Sequence, residues 1–157
     1  MGDIYILNTR CQLTLTIKQA FLDAGLKVKV STESGVSDDN LRGAKGFTAI
    51  CIFVNKRISP EQVRILKENG TKLVLHCSAG FYNSPTSELR EAGIRVARVP
   101  SYSPGSIAEY AVTQMMALAK NTQMSFVMTK RADFQISNMQ GILMENKTCG
   151  VIGTGTI

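Results

Sequence analysis

Short apolar runs alternate with amphipathic segments along the first hundred residues. The runs cover residues 4–7, 26–30, 47–54, 72–77 and 94–99, and they are rich in Ile, Val and Leu. Between them, apolar side chains recur at helical spacing over roughly 12–24, 59–69 and 84–92, and residues 35–46 indicate one further short helix. Strands and helices that alternate in this way predict an α/β fold with a parallel sheet.

Local signals for the ends of helices agree with this prediction. Gly25, Gly70 and Gly93 each stand between a helical segment and a strand, where a left-handed residue ends a helix and glycine adopts that conformation without steric cost. Ser59 and Gln62 have the spacing of a capping box at the start of a helix. The repeated unit of strand, helix, glycine and strand therefore predicts right-handed crossovers between parallel strands.

The pattern changes after Pro100. A long helix is predicted there, and its start has two candidate caps: Ser103 before Pro104, or Ser106 with Glu109 three residues later. A polar stretch over about 129–147 follows, and then a predicted strand at 148–153. We therefore expect two domains, 1–100 and 101–157. The long helix carries an apolar stripe at helical spacing, formed by Ile107, Ala108, Ala111, Val112, Met115, Met116 and Ala119.

Length, charge and cysteine usage exclude several classes of protein. The 157 residues suffice for one ordinary domain and part of another. The longest apolar runs are far too short for a membrane span, and the N-terminus lacks the basic start and apolar run of a signal peptide. The four cysteines form no CxxC pair, so we expect reduced thiols in the cytoplasm and no metal site. The net charge of +6 is scattered rather than clustered, so we expect no nucleic-acid binding.

The last residues carry the clearest chemical pattern. An apolar run leads into Gly153, Thr154 and Gly155, as in the glycine-rich turn that begins a dinucleotide-binding domain. In that motif the first glycine makes a tight turn, the second lets the backbone approach a pyrophosphate, and a third would come next. The alternative is a plain turn that ends a strand. We expect the turn to be the truncated start of a Rossmann domain.

Several segments together resemble the D-isomer-specific 2-hydroxyacid dehydrogenases. Residues 98–112 resemble the linker and interdomain helix of that family, and their Tyr-Ser-Pro form is most similar to the D-lactate dehydrogenase branch. Residues 75–83 are similar to the family's substrate loop. Residues 53–55 and the glycine turn at 150–157 also resemble segments of that family, in the same order and with the same spacing. The resemblance implies a flavodoxin-like parallel sheet over 1–100, followed by the interdomain helix and the first strand of a truncated Rossmann domain.

The resemblance also implies roles for individual residues, each with a plainer alternative. The backbone amides of Ala79 and Gly80 would bind the carboxylate of a small 2-oxo or 2-hydroxy acid, although the two residues also suit an ordinary loop turn. Tyr102 would line the substrate cleft, or it is a half-buried aromatic of the linker. The NAD pyrophosphate loop would begin with Gly153, Thr154, Gly155 and Ile157.

The chain departs from the family pattern at three positions of the substrate loop. Cys77 stands where the family usually has Arg, Tyr82 replaces the first Asn of a pair, and Pro85 replaces an Asp. The catalytic Arg, His and carboxylate of the family lie beyond this sequence, so we assign no catalytic residue. His76 is expected to be a neutral, hydrogen-bonded histidine at a strand end. Neighbours in a strand point to opposite faces, so His76 and Cys77 do not form a nucleophile and base pair.

These observations lead to two functional hypotheses. The first is a truncated NAD-dependent D-2-hydroxyacid dehydrogenase of the D-lactate dehydrogenase type, acting on pyruvate and D-lactate and inactive as this chain alone. The second is a non-catalytic binding or dimerisation module, in which a homodimer forms through the 107–119 helix because its apolar stripe is exposed without a partner domain.

Overall fold

The computed structural model describes residues 3–8, 12–53, 57–137 and 139–157. The chain divides into two compact units, residues 1–100 and residues 101–157, and each is described by itself below. No helix among the described residues has the length and apolar character needed to span a membrane.

The first unit is a five-stranded parallel sheet with intervening helices, and this confirms the predicted α/β fold. The strands lie in the order β2-β1-β3-β4-β5, so β2 and β5 form the two edges. In chain order the elements are β1 (Ile4–Asn8), α1 (Gln12–Asp23), β2 (Val28–Ser34), α2 (Asp38–Arg42), β3 (Ala49–Ile52), α3 (Gln62–Glu68), β4 (Leu73–His76), α4 (Thr86–Glu91) and β5 (Arg95–Arg98).

Alternating side chains of the sheet enter two separate apolar clusters. On the central strand β3, Ile50 and Ile52 pack with side chains from α2, α3 and α4, whereas Ala49 and Cys51 pack with side chains from α1. All four residues of β3 are buried, as expected for a strand that has helices on both faces. The sheet is thus covered on both sides, and its ends carry the loops.

The helix boundaries follow the predicted signals. Gly25, Gly70 and Gly93 have φ values of 75°, 83° and 75°, which is the left-handed region that favours glycine. At the start of α3, the Gln62 N–H donates to Ser59 Oγ at 3.3 Å, and the Ser59 N–H donates to Gln62 Oε1 at 3.0 Å. The predicted capping box is therefore present, and the short helix predicted within 35–46 is α2.

The second unit consists of two helices, α5 (Pro104–Ala119) and α6 (Thr122–Lys130), and irregular segments. Ser103 is the N-cap of α5 and Pro104 its first residue, although the Ser103 side chain makes no capping hydrogen bond. Helix α6 was not predicted. Beyond it, the Ile142 N–H donates to the Ala119 carbonyl at 2.6 Å and holds residues near Gly141 against the end of α5.

The strand predicted at 148–153 is wrong. These residues form no strand and are exposed, and no strand occurs among the described residues of the 101–157 unit. A strand is stable only when its backbone N–H and C=O groups form hydrogen bonds with a neighbouring strand. The apolar run at 148–153 has no such strand beside it. The same residues add no sixth strand to the first sheet, which has five.

Candidate functional site

The candidate substrate loop, residues 77–85, follows strand β4 and leads into α4. In a parallel sheet the carboxyl ends of all strands meet at one edge, where α/β proteins commonly bind ligands. The loop lies at this edge beside the end of β5, because His76 and Arg98 occupy opposite positions in the register of the two strands. Val54 and Asn55, which belong to another matched segment, lie outside the described residues.

Inside the loop, the carbonyl oxygens of Ala79 and Gly80 are already bonded. Ser78 Oγ donates to the Gly80 carbonyl at 2.8 Å, and Arg98 Nη1 donates to the Ala79 carbonyl at 2.8 Å. The Val99 N–H donates to the Ser78 carbonyl at 3.2 Å, which ties the loop to the end of β5. These contacts fix the backbone of the loop from within and from the neighbouring strand.

The N–H groups of Ala79 and Gly80 donate no hydrogen bond within the described parts of the chain. Ala79 is half-buried and Gly80 is exposed, and a Cβ added to Gly80 would meet no atom within 4 Å. Two successive amide donors without partners, the second of them in open space, form the kind of site that accepts an anion. The structure therefore brings together two of the three predicted substrate residues.

Arg98 is the residue of this site that sequence reasoning missed. Its guanidinium carbon lies 5.4 Å from the centre of the Phe81 ring, and its Nη1 also donates to the Pro100 carbonyl at 3.3 Å. It thus places a positive charge beside the Ala79 and Gly80 amides. A single Arg at the end of a strand gives no signal by itself, and only the register of β5 against β4 brings it to the loop.

The aromatic side chains of the loop lie towards solvent. Phe81 stacks on Tyr82 with ring centres 5.0 Å apart and an interplanar angle of 19°, and Tyr82 is highly exposed. Tyr102 lies in the 101–157 unit, just before α5, and is also exposed. The alternative of a half-buried linker aromatic therefore does not describe Tyr102.

His76 is buried beneath the loop, with 3% of its surface exposed. Neither ring nitrogen has a hydrogen-bond partner in the described part of the chain, so the expectation of a hydrogen-bonded imidazole is wrong there. Burial lowers the pKa of His76. The imidazole is thus neutral at pH 7 and is not suited to donate a proton. Cys77, the next residue, packs into the apolar cluster on the α1 side of the sheet.

The predicted cofactor residues lie at the end of the second unit. Gly153 has a φ of 95°, which favours glycine, and the neighbouring residues Thr154, Gly155 and Ile157 are exposed. A Cβ added to Gly150 or Gly155 would meet nothing within 4 Å. A glycine with positive φ and an open backbone on either side fit the first part of a pyrophosphate loop. These residues do not contribute to the first sheet.

Comparison with known proteins gives consistent matches over most of the chain. The family model for the catalytic domain of the D-isomer specific 2-hydroxyacid dehydrogenases matches residues 6–148. The D-lactate dehydrogenase of Escherichia coli K12 is 37% identical over 122 residues, which are 78% of this chain and 37% of that protein. The chain therefore spans about a third of the length of the curated relatives it matches.

Solved structures match the fold over almost the whole chain. The pyruvate reductase of Chlamydomonas reinhardtii has a TM-score of 0.82 at 28% identity, covering 98% of this chain and 46% of that one. D-lactate dehydrogenase from Aquifex aeolicus, solved with NAD and lactic acid, has a TM-score of 0.78 at 26% identity, covering 99% and 45%. By its sequence and its sheet, the chain belongs to the D-isomer specific 2-hydroxyacid dehydrogenase family, in the D-lactate dehydrogenase branch.

Proposed function

We propose that this chain is the substrate-binding part, with the start of the cofactor-binding part, of an NAD-dependent dehydrogenase that interconverts pyruvate and D-lactate. In this proposal residues 1–100 form the substrate domain, and residues 101–157 form the interdomain helix and the start of the NAD domain. The names of the relatives support the reaction class. The observation that carries the proposal is the pair of unbonded N–H groups at Ala79 and Gly80 beside Arg98.

The Ala79 and Gly80 amides would donate hydrogen bonds to the carboxylate of a 2-oxo acid. Arg98 contributes in two ways, because it adds positive charge and its bond to the Ala79 carbonyl holds the loop in shape. Hydrogen bonds to an ionised group are stronger than neutral ones, so two such bonds orient a small acid. With the carboxylate fixed, the oxo carbon next to it takes a defined position. Tyr102 is also proposed as a substrate-lining residue, on the family resemblance alone.

NAD would supply or accept the hydride when it is bound. Gly153, Thr154, Gly155 and Ile157 would hold its pyrophosphate, because Gly153 has the φ of 95° that favours glycine and Gly155 leaves the backbone open. The chain's own residues here bind and orient only. Stable binding would also need the amides of a following helix.

We further propose that these 157 residues alone do not turn over pyruvate. Reduction of a carbonyl needs a proton donor, and the one histidine of the sequence, His76, is buried and neutral at pH 7. The purified chain mixed with NADH and pyruvate is expected to oxidise no NADH above buffer. Saturable oxidation of NADH would contradict this proposal. We place the protein in the cytoplasm, which suits Cys51, Cys77 and Cys149, none of which forms a disulfide.

The test of the substrate site compares two substitutions at one residue. Gly80→Pro removes the N–H donor, whereas Gly80→Ala keeps it and places its Cβ in open space. We expect the chain to bind oxamate, a stable analogue of pyruvate, and Gly80→Pro to weaken that binding by about ten- to a hundredfold, which corresponds to one hydrogen bond to a charged group. Gly80→Ala is expected to bind like the parent. Equal binding by all three proteins would contradict the proposal.

A second pair of variants tests the charge. Arg98→Gln removes the guanidinium that bonds the loop, and Arg95→Gln removes the same charge from the other end of β5. Oxamate affinity, measured by titration calorimetry, is expected to fall with Arg98→Gln and to change little with Arg95→Gln. If both variants lose affinity equally, only net charge attracts the ligand, and the specific site is wrong.

One observation favours the second function, a module that dimerises through α5. Ile107, Tyr110, Val112 and Met116 are exposed on this helix. Apolar surface of this kind favours association. Sedimentation of the chain distinguishes the two functions. A dimer that becomes monomeric on the substitution Val112→Asp supports the dimerisation module. A monomer at all concentrations would contradict it.

A further inference from the structure

A cysteine of the sheet and the first residue of the substrate loop bring their sulfur atoms together at the base of that loop. Cys51 lies in β3 and Cys77 directly follows β4, and their Sγ atoms are 3.2 Å apart. Leu75 is opposite Cys51 in the strand register, so Cys77 lies two residues further along the same face. Both side chains belong to the apolar cluster that α1 covers. The separation is about 1.2 Å longer than a disulfide bond.

The two thiols differ in their access to solvent. Cys51 is fully buried in the central strand, whereas Cys77 is half-buried where the chain leaves the sheet. A reagent in solution therefore meets Cys77 first. Cys51 is buried but its sulfur lies 3.2 Å from that of Cys77, which suits an attacking cysteine (Cys77) and a resolving cysteine (Cys51).

We propose that Cys51 and Cys77 are an oxidation site that forms a reversible disulfide, with a small disulfide such as oxidised glutathione as the oxidant. The Cys77 thiolate attacks one sulfur of glutathione disulfide, so that its S–S bond breaks and one glutathione leaves. The Cys51 thiolate then attacks Cys77 Sγ and releases the second glutathione. Two protein thiols are oxidised, glutathione disulfide is reduced to two thiols, and these thiols take up the two protons.

We expect the second of these steps to be the slow one. In the reduced protein the sulfur–sulfur hydrogen bond with Cys77, and then burial, raise the pKa of Cys51. Once Cys77 carries glutathione, burial is the cause that remains, and it keeps the Cys51 thiolate scarce at neutral pH. The rate of disulfide formation is therefore expected to rise with pH above neutrality. The thiols, rather than the oxidant, set this pH dependence.

We expect formation of the bond to move the loop rather than the core. Cys51 sits in β3, between β1 and β4, whereas the Cys77 N–H donates to the Ile52 carbonyl at 2.9 Å and the chain then leaves the sheet. The sulfur atoms must approach by about 1.2 Å. This movement falls on Cys77 and so on Ser78 and the amides that follow. An effect on carboxylate binding rests on the proposed function, whereas the disulfide does not.

The experiment uses the full 157-residue chain with Cys11→Ser and Cys149→Ser, so that only the pair remains. The folded protein is treated with oxidised glutathione, and its thiols and intact mass are measured. We expect both thiols to be lost, a mass lower by two hydrogen atoms with no glutathione retained, and a peptide linking residues 51 and 77 after non-reducing digestion. Dithiothreitol is expected to restore both thiols.

Two further variants test the order in which the two thiols react. In the same background, Cys51→Ala is expected to hold a stable glutathione adduct on Cys77, whereas Cys77→Ala is expected to leave Cys51 unmodified until the protein is denatured. The proposal is overturned by a lasting adduct on Cys77 while Cys51 is present. The proposal is also overturned if both thiols of the background protein stay intact under conditions in which the Cys51→Ala variant gains a glutathione adduct. The linked peptide is sought in the background protein, so misfolding of either variant leaves that result intact.

Hydrogen exchange measures the coupling to the loop without any ligand. Amide exchange over residues 77–84 is expected to be faster in the disulfide form than in the reduced form, and residues 104–119 serve as an internal control. Unchanged exchange over 77–84 would overturn the coupling and leave the disulfide standing. Failure of oxamate binding would bear on the proposed function alone.

Discussion

The two units of the chain differ in how their apolar side chains are covered. In the 1–100 unit, both faces of the sheet meet helices, and Ile50, Ile52 and Val74 are fully buried. In the 101–157 unit, Ala119 is the one buried apolar side chain among the described residues, and side chains such as Val112 and Leu118 are exposed. The first unit therefore contains its own hydrophobic core. The second leaves most of its apolar side chains exposed.

The largest expected effect contrasts a core residue with an exposed one. Ile50→Ala removes a fully buried side chain from β3 and is expected to lower the free energy of unfolding by about 2–5 kcal/mol. Val112→Ala on α5, where the side chain is 56% exposed, is expected to change it by less than about 0.5 kcal/mol. Urea denaturation followed by circular dichroism measures both. Equal losses would show that α5 is buried in solution.

Glycine substitutions are expected to have opposite signs in the two units. At Gly70, where φ is 83° and a Cβ would meet nothing, Ala is expected to cost about 1–2 kcal/mol from the backbone alone. At Gly105, within the first turns of α5, Ala is expected to stabilise the helix by about 0.5 kcal/mol. Thermal denaturation of the two variants checks the difference. If Gly70→Ala made the protein more stable, residue 70 would not have the left-handed backbone conformation at the end of α3.

The pH dependence of stability should come from the sheet unit, because the single histidine lies there. The pKa of His76 is lowered in the folded protein, so the unfolded chain binds the proton more tightly. Stability is therefore complete above about pH 6.5 and falls as the pH drops below it, by no more than about 1.4 kcal/mol per pH unit for one proton. His76→Gln is expected to flatten the curve between pH 7 and 5.5. An unchanged curve would exclude His76 as the cause.

The smallest effect compares two serines at helix starts. Ser59→Ala breaks the hydrogen bond to the Gln62 N–H and is expected to cost about 0.5–1 kcal/mol. Ser103→Ala is expected to be nearly neutral, because the Ser103 side chain makes no capping bond on α5. The midpoints of urea denaturation give the change in the free energy of unfolding for both variants. A larger loss at Ser103 would mean that its hydroxyl caps α5 in solution.

Much of the sheet unit could be predicted from sequence because its signals are local. Apolar runs gave the five strands, and Gly25, Gly70 and Gly93 marked the ends of helices by a backbone requirement that glycine meets at least cost. Helix α6 gave no such signal. Its N-cap is Asn121, whose φ is 50° and whose side chain makes no capping hydrogen bond to the helix.

Features that depend on distant partners were missed or wrongly predicted. The apolar run at 148–153 indicated a strand, but strand formation needs a neighbour that the run itself does not specify. Arg98 and the Ala79 carbonyl are 19 residues apart, and Cys51 and Cys77 are 26 apart, so strand register brings each pair together. The unbonded N–H groups of the substrate loop likewise appear only in three dimensions.

The basic residues on the two edge strands of the sheet have a consequence for association between molecules. Lys29 is exposed on β2, and Arg95 and Arg98 are exposed on β5. If one molecule added its β2 edge to the β5 edge of another, Lys29 would add to the positive charge of Arg95 and Arg98, whereas Glu33 on β2 would offset part of it. Charged side chains at open edges are one means by which sheet proteins oppose edge-to-edge pairing, and Lys29, Arg95 and Arg98 occupy such positions.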